Sequence, residues 1–136
     1  MLRSVNLRDY MLPHPATVRH DLPLREAIDI ITENRISGLC VIDEQGNLVG
    51  ILSELDCLRA ILGAVYNKSG IGIVADYMAT ENLVVAHPDE DIVDVAQDML
   101  MNNKRRRPVV ENGKLIGQIT CRALLKAVQE FQERRA

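Results

Sequence analysis

The sequence predicts a mixed α/β (α+β) fold built from two pseudo-symmetric copies of one β-α-β-β-α unit. Three observations predict it. The chain repeats its own motifs at a nearly fixed offset. Each copy alternates helical periodicity with short β-branched runs. Aromatic residues make up only 3% of the 136 residues although 47% are hydrophobic.

The last observation decides how the core is filled. With no Trp and one Phe, Val, Ile, Leu, Met and Ala must fill it, and such small side chains suit close helix-on-sheet layers. Charged residues make up 26% and the net charge is −3, which excludes a disordered or broadly basic chain and gives no global field attracting nucleic acid. Cys40, Cys57 and Cys121 are odd in number and lack C-x-x-C spacing, so neither a disulfide framework nor a structural zinc site is expected. Cys40, in the apolar run 39–42, reads as a small buried hydrophobe. Met1-Leu2-Arg3-Ser4 lacks the apolar stretch of a signal peptide, and no segment has the apolar length of a membrane span. The expectation is a reduced, cytoplasmic setting.

The repeat is visible directly. Asp9-Tyr10-Met11 recurs as Asp76-Tyr77-Met78 at an offset of 67, and His20 as His87. Leu24, Ala27 and Ile28 then correspond to Ile92, Val95 and Ala96, with one residue gained in the second copy. Val41-Ile42 matches Val109-Val110, an extra residue in the first copy's turn restores the offset, and Gly46-x-Leu48-x-Gly50 matches Gly113-x-Leu115-x-Gly117. Leu58-x-Ala60 matches Leu125-x-Ala127. Both insertions are placed in polar connections, 21–23 against 88–91 and 43–45 against 111–112, where loops absorb length at little cost.

Each copy then reads alike. Short extended pieces are expected at 16–19 and 83–86. An amphipathic helix follows over about 23–34, and its twin over about 91–102, with Asp89-Glu90-Asp91 suited to capping. Hairpins follow at 39–42 with 48–52 and at 108–110 with 115–119. Closing helices are expected from Glu54 to about Leu62 and from Cys121 to about Arg134, separated by a Gly-containing linker that carries part of a helix. One copy alone would have a three-stranded sheet with a bare face. Packing two copies sheet to sheet buries both and leaves an inter-repeat cleft. His20 and His87, in equivalent places, read as turn structure, and Tyr10 and Tyr77 as duplicated packing.

From about Asp9 to Val128 the chain resembles a tandem pair of CBS domains, the arrangement called a Bateman module. The residues that carry the resemblance are the doubled Asp-Tyr-Met, the hairpins with Val41-Ile42 and Pro108-Val109-Val110, and Gly50-Ile51-Leu52-Ser53-Glu54-Leu55-Asp56. The organisation this implies is one module over 1–136, with a first repeat at 8–63, a linker at 64–73 and a second repeat at 74–136. The resemblance further implies binding of an adenosine-containing ligand (AMP, ADP, ATP or S-adenosylmethionine) between the repeats, and a homodimer.

On that resemblance Asp56 takes the ribose hydroxyls, with Ser53 close by. The same spacing, Ser53-x-x-Asp56, is that of a capping box, and spacing alone favours the cap. In the second copy Thr120 keeps the hydroxyl, but Ala123 stands where the Asp would be, so a second site lined by Thr17 and Val18 is degenerate. Arg105 and Arg106, with Lys104, match the phosphate-contacting positions, and Arg presents a fork suited to phosphate oxygens. The alternative is a solvated helix C-terminus, where cations complement the dipole. Ile36, Ser37, Gly38 and Ile51, with Val84 and Val85, are candidates for an adenine slot, and each is equally good core.

No nucleophile with a base and no phosphate-binding glycine loop is recognisable, so no catalysis and no catalytic cofactor or metal is expected. The reading is a regulatory module that binds an adenine nucleotide or S-adenosylmethionine and signals occupancy to a separate effector protein. The alternatives are a ligand-free dimeric scaffold, or nucleic-acid binding through the basic run from Lys104 to Arg107. Which adenosine ligand is preferred, the effector's identity, the dimer's orientation and the second site's occupancy stay open at this point.

Overall fold

The computed structural model describes residues 5–135; Met1 to Ser4, read above for a signal segment, lie outside them. The chain forms two compact units, one of residues 16–83 and one of residues 5–15 with 84–135.

The first unit contains β1 (Thr17–Arg19), α1 (Leu24–Asn34), β2 (Gly38–Ile42), β3 (Leu48–Ser53), α2 (Glu54–Asn67) and a 3-10 turn at Val74–Asp76. Its sheet has the order β1-β2-β3, with β1 parallel to β2 and β2 antiparallel to β3. α1 forms because Leu24, Ala27 and Ile31 recur at helical spacing, and all three are buried. It ends where Arg35 turns left-handed and returns its N–H to the carbonyls of Ile31 and Thr32. β2 alternates, with Leu39 and Val41 buried in the core and Cys40 on the opposite face, only half-buried. That corrects the reading of Cys40 as core. The period of two places its neighbours inside, and the buried thiol is Cys57. α2 runs to Asn67, five residues past its expected end, and stops where Lys68 adopts a left-handed conformation.

The second unit contains a 3-10 turn at Leu7–Asp9, α3 (Ile92–Met101), β4 (Arg106–Glu111), β5 (Lys114–Thr120) and α4 (Cys121–Arg135). Asp91 caps α3 by accepting the N–H of Val93. The β4–β5 hairpin turns through Asn112 and Gly113, both at positive φ, as a tight two-residue connection requires. Leu7, Ala86, Ile92, Val95, Met99, Val109 and Ile119 form the core. Burying a side chain of Leu, Ile or Met size contributes roughly 1.5–3 kcal/mol.

Here the sheet has two strands, not the three expected. The extended piece at 83–86 is reduced to one parallel bridge, Ala86 with Val109. In the first unit the N–H of Cys40 donates to Ala16 and the N–H of His20 to Ile42. The corresponding donors are Pro108 and Pro88, which have no N–H, so the ladder cannot extend past Ala86 on either side. The ring of His87 bonds the carbonyl of Val110 instead, at 3.2 Å.

This pairing also relocates one insertion. Val18 pairs Val41 and Ala86 pairs Val109, an offset of 68 already reached in the first strand. Likewise Leu22 donates to Arg19 as Glu90 does to His87. The extra residue therefore lies between Ala79 and Ala86, the counterpart of His20 is Pro88, and His20 and His87 are not equivalent. His20 instead bonds Glu44, whose carboxyl is held below its ordinary range by a backbone hydrogen bond, then by His20 and Arg19.

The repeated Asp-Tyr-Met segment has a clear physical role. Tyr77 and Met78 pack on the first unit's core, and Ile51 and Ala79 exchange both backbone hydrogen bonds, at 3.0 and 2.9 Å. Tyr10 and Met11 pack on the second unit's core, and Leu12 and Gln118 exchange theirs at 2.7 and 2.9 Å. Each hairpin therefore receives the segment that leads into the other copy. Gly50 and Gly117 permit this approach. A Cβ at Gly50 would lie 2.5 Å from the Met78 sulfur, and one at Gly117 would lie 2.7 Å from the carbonyl oxygen of Leu12. Gly50→Ala and Gly117→Ala should each cost about 1–3 kcal/mol in thermal or urea unfolding. Met78→Ala should offset part of the Gly50→Ala loss, because the nearest obstacle is a flexible thioether, with the Ala79 carbonyl oxygen next at 3.0 Å. Met11→Ala should not rescue Gly117→Ala, where the obstacle is backbone. Equal rescue in both pairs would refute this account.

Candidate functional site

The site begins where β3 runs directly into α2. Ser53 is the N-cap, its Oγ accepting the N–H of Asp56 at 3.1 Å while Asp56 Oδ2 accepts the N–H of Ser53 at 2.9 Å. The capping box read from the spacing is therefore formed in full. Oδ1 of Asp56 accepts from the Arg59 guanidinium at 3.2 Å, and the Asp56 side chain keeps 18% of its surface exposed. One residue on, Cys57 faces the core, where burial, then Asp56 and Glu54, push its thiol pKa up.

The β2–β3 pairing gathers several expected residues beside this cap. Gly38 pairs Ser53, Cys40 pairs Ile51, and the N–H of Glu54 donates to the carbonyl of Ser37 at 2.9 Å. A Cβ at Gly38 would lie 2.9 Å from the Leu52 carbonyl oxygen, so the pairing depends on glycine there. Ile36 packs half-buried against the core. Ile36, Ser37, Gly38, Ile51, Ser53 and Asp56 thus lie at one end of the first unit's sheet. Val18 is buried in that unit's core and Thr17 is exposed.

An open cavity of about 400 Å³ extends from Asp56 along α2. Arg59, Ala60, Gly63, Ala64 and Asn67 line the helix side, and Asp76 and Tyr77 lie on the returning chain. Tyr77 is held by the N–H of Gly72, which its hydroxyl accepts at 3.1 Å, and Asp76 by the N–H of Ile73 at 3.0 Å. Sequence reasoning missed Arg59, Asn67, Asp76 and Tyr77 as lining residues. The small residues Ala60, Gly63 and Ala64, following Asp56 at helical spacing, were the available signal.

The other candidates lie in the second unit. Thr120 caps α4 by accepting the N–H of Ala123 at 3.1 Å, the same bond Ser53 makes, but Ala123 has no carboxylate to return. Lys104 and Arg105, between α3 and β4, and Arg106, the first residue of β4, are exposed. Arg107 is buried and paired with Asp98, so it is withdrawn from the basic run. Val84 is exposed and Val85 half-buried. Among the described residues no helix is long and apolar enough to cross a membrane.

Set against known proteins, the chain matches the CBS domain family at residues 7–63 and 74–130. It is 36% identical over 118 residues to inosine-5'-monophosphate dehydrogenase of Aquifex aeolicus, and 30% identical over 127 residues to the protein MJ1225 of Methanocaldococcus jannaschii. These alignments take in 85% and 92% of this chain, but the chain spans only 23% and 44% of the lengths of those relatives. The solved structure of CBSX2 in complex with AMP has a TM-score of 0.82 at 28% identity, covering 95% of this chain and 99% of that one. The CBS domain pair of MJ0100, in complex with 5'-methylthioadenosine and S-adenosyl-L-methionine, has a TM-score of 0.71 at 27% identity, covering 93% and 97%.

The burial of the thiols is open to a chemical test. Under native conditions near pH 8, iodoacetamide should modify the exposed Cys121 well before Cys57, whose labelling should require unfolding. Mass spectrometry of timed samples reads this out, and equal rates would contradict the burial of Cys57 on the core face of α2.

Proposed function

We propose a sensing role from the premise that this chain belongs to the CBS domain family, as a tandem CBS pair. On our reading it is a non-catalytic regulatory module that binds an adenosine-containing ligand and signals occupancy to an effector protein. The observation that carries this is the Asp56 carboxylate. The capping box holds it in place, yet it lines an open cavity and retains lone pairs for a ribose diol. The AMP bound by CBSX2 and the S-adenosyl-L-methionine bound by the MJ0100 pair support the ligand class. Asp56 and Ser53 serve the ribose. Arg105, Arg106 and Lys104 serve phosphate, and Ile36, Ser37, Gly38, Ile51, Val84 and Val85 the base. Ala123 leaves the second copy without an anchor, so one competent site per chain is our reading.

Calorimetric titration with AMP, ADP, ATP and S-adenosylmethionine tests this directly. Asp56→Ala should weaken binding roughly ten-fold or more, the effect of losing hydrogen bonds to a charged acceptor. Ser53→Ala should weaken it less. If Asp56→Ala lowers the melting temperature and leaves affinity intact, the carboxylate is a helix cap alone.

The homodimer reading draws on an exposed apolar stripe along α2, formed by Leu55, Leu58, Leu62, Val65 and Tyr66. Leu125 and Val128 of α4 are exposed as well, and Leu125 is the repeat counterpart of Leu58. Large exposed apolar faces mark association surfaces. Leu58→Glu with Leu62→Glu should convert a dimer to a folded monomer in sedimentation analysis, whereas a wild-type monomer at all accessible concentrations would dismiss the dimer.

A further inference from the structure

The capping box accounts for one oxygen of Asp56 and not the other. Oδ2 receives the N–H of Ser53, while Oδ1 receives the guanidinium of Arg59 one turn further along α2. The two partners differ in how firmly they are held. The Ser53 N–H is fixed backbone, whereas the Arg59 side chain is 76% exposed and lines the same cavity as Asp56. An exposed i,i+3 pair of this kind holds weakly and is readily exchanged.

The second copy supplies an independent comparison. Ala123 has replaced the carboxylate there, yet Lys126, exposed on α4, keeps a cation at the position corresponding to Arg59. A carboxylate partner is therefore not the condition for a cation at this helix position.

We propose that Arg59 is a displaceable counter-ion that makes the Asp56 site select for a phosphorylated nucleoside. In the empty site it covers Oδ1. A ribose hydroxyl displaces it, and the freed guanidinium turns to the phosphate carried on the same nucleoside. A ligand without phosphate breaks the Asp56–Arg59 pair and receives nothing in return, and the cationic sulfonium of S-adenosylmethionine would be repelled. AMP-type ligands recover the interaction, because a guanidinium bonds phosphate oxygens in the same way as a carboxylate. This rests on the reading of Asp56 as ribose anchor.

The experiment compares adenosine and AMP binding to the full chain by calorimetry, in wild type, Arg59→Gln, Arg59→Lys and Asp56→Asn, at one ionic strength. In Arg59→Gln adenosine should bind roughly two- to five-fold tighter, the equivalent of removing an exposed competing ion pair. AMP should bind more weakly, so that the preference for AMP over adenosine falls roughly ten-fold. Arg59→Lys should retain most of the preference, because the cation is kept. An adenosine affinity unchanged by Arg59→Gln, or both ligands shifted by one common factor, overturns the counter-ion role. The control separates the two readings. If Asp56→Asn leaves AMP binding intact, the ribose anchor fails and the counter-ion falls with it. If Asp56→Asn weakens AMP but Arg59→Gln leaves the preference unchanged, the counter-ion alone fails.

Discussion

Two backbone hydrogen bonds between Ile51 and Ala79 tie the outer edge of the first unit's hairpin to the segment that leads into the second copy. Gly50 leaves room for them, since a Cβ there would crowd Met78 and the Ala79 carbonyl oxygen. Much else in that unit follows from this approach. The docked segment carries Val74 into the core, buries part of Tyr77, and places Asp76 and Tyr77 on the wall of the cavity that Asp56 also lines. The same device appears at Gly117, with Leu12 and Met11 in the corresponding roles. The duplicated Asp-Tyr-Met segment is therefore a packing element first, and it shapes the candidate site through that packing.

At Asp56 structure and proposed function draw on the same side chain. A carboxylate in the first turn of a helix is stabilised by free backbone N–H groups and by the dipole, and the reciprocal bond with Ser53 fixes its rotamer. That fixed geometry suits recognition as well, since a preorganised acceptor loses little conformational freedom when a ligand arrives. The second copy separates the two roles. Thr120 still caps α4 through the N–H of Ala123, so the helix start survives without the carboxylate. A cap by itself thus needs only the hydroxyl half of the motif.

Much of the fold was legible in the chain because its signals are local. Helical spacing of Leu24, Ala27 and Ile31 marks α1, β-branched runs mark the hairpins, and Asn112-Gly113 marks a tight turn. What escaped depends on partners distant in sequence. The loss of the sixth strand follows from Pro108 and Pro88 facing Ala86, and neither proline signals this until the register is known. The misplaced insertion has the same origin. Matching His20 to His87 satisfied the letters, whereas the hydrogen bonds match His20 to Pro88. In the basic run four adjacent cations read alike, but Arg107, inside β4, is buried and paired with Asp98, whereas Lys104 and Arg105 before the strand and Arg106 at its first position stay exposed.

The sequence by itself determined the duplication, the order of elements within each copy, the capping box at Ser53 and Asp56, and the family. All of these rest on periodicity and short-range spacing, which a linear chain displays openly. Only the tertiary structure decided that the lead-in segments change places, that Arg59 lies on Asp56 Oδ1, and that a cavity runs from Asp56 to Tyr77. The physical reason is that these depend on which surfaces approach closely enough to exclude a Cβ or to share a proton. Such distances arise from the packing of residues that are far apart along the chain.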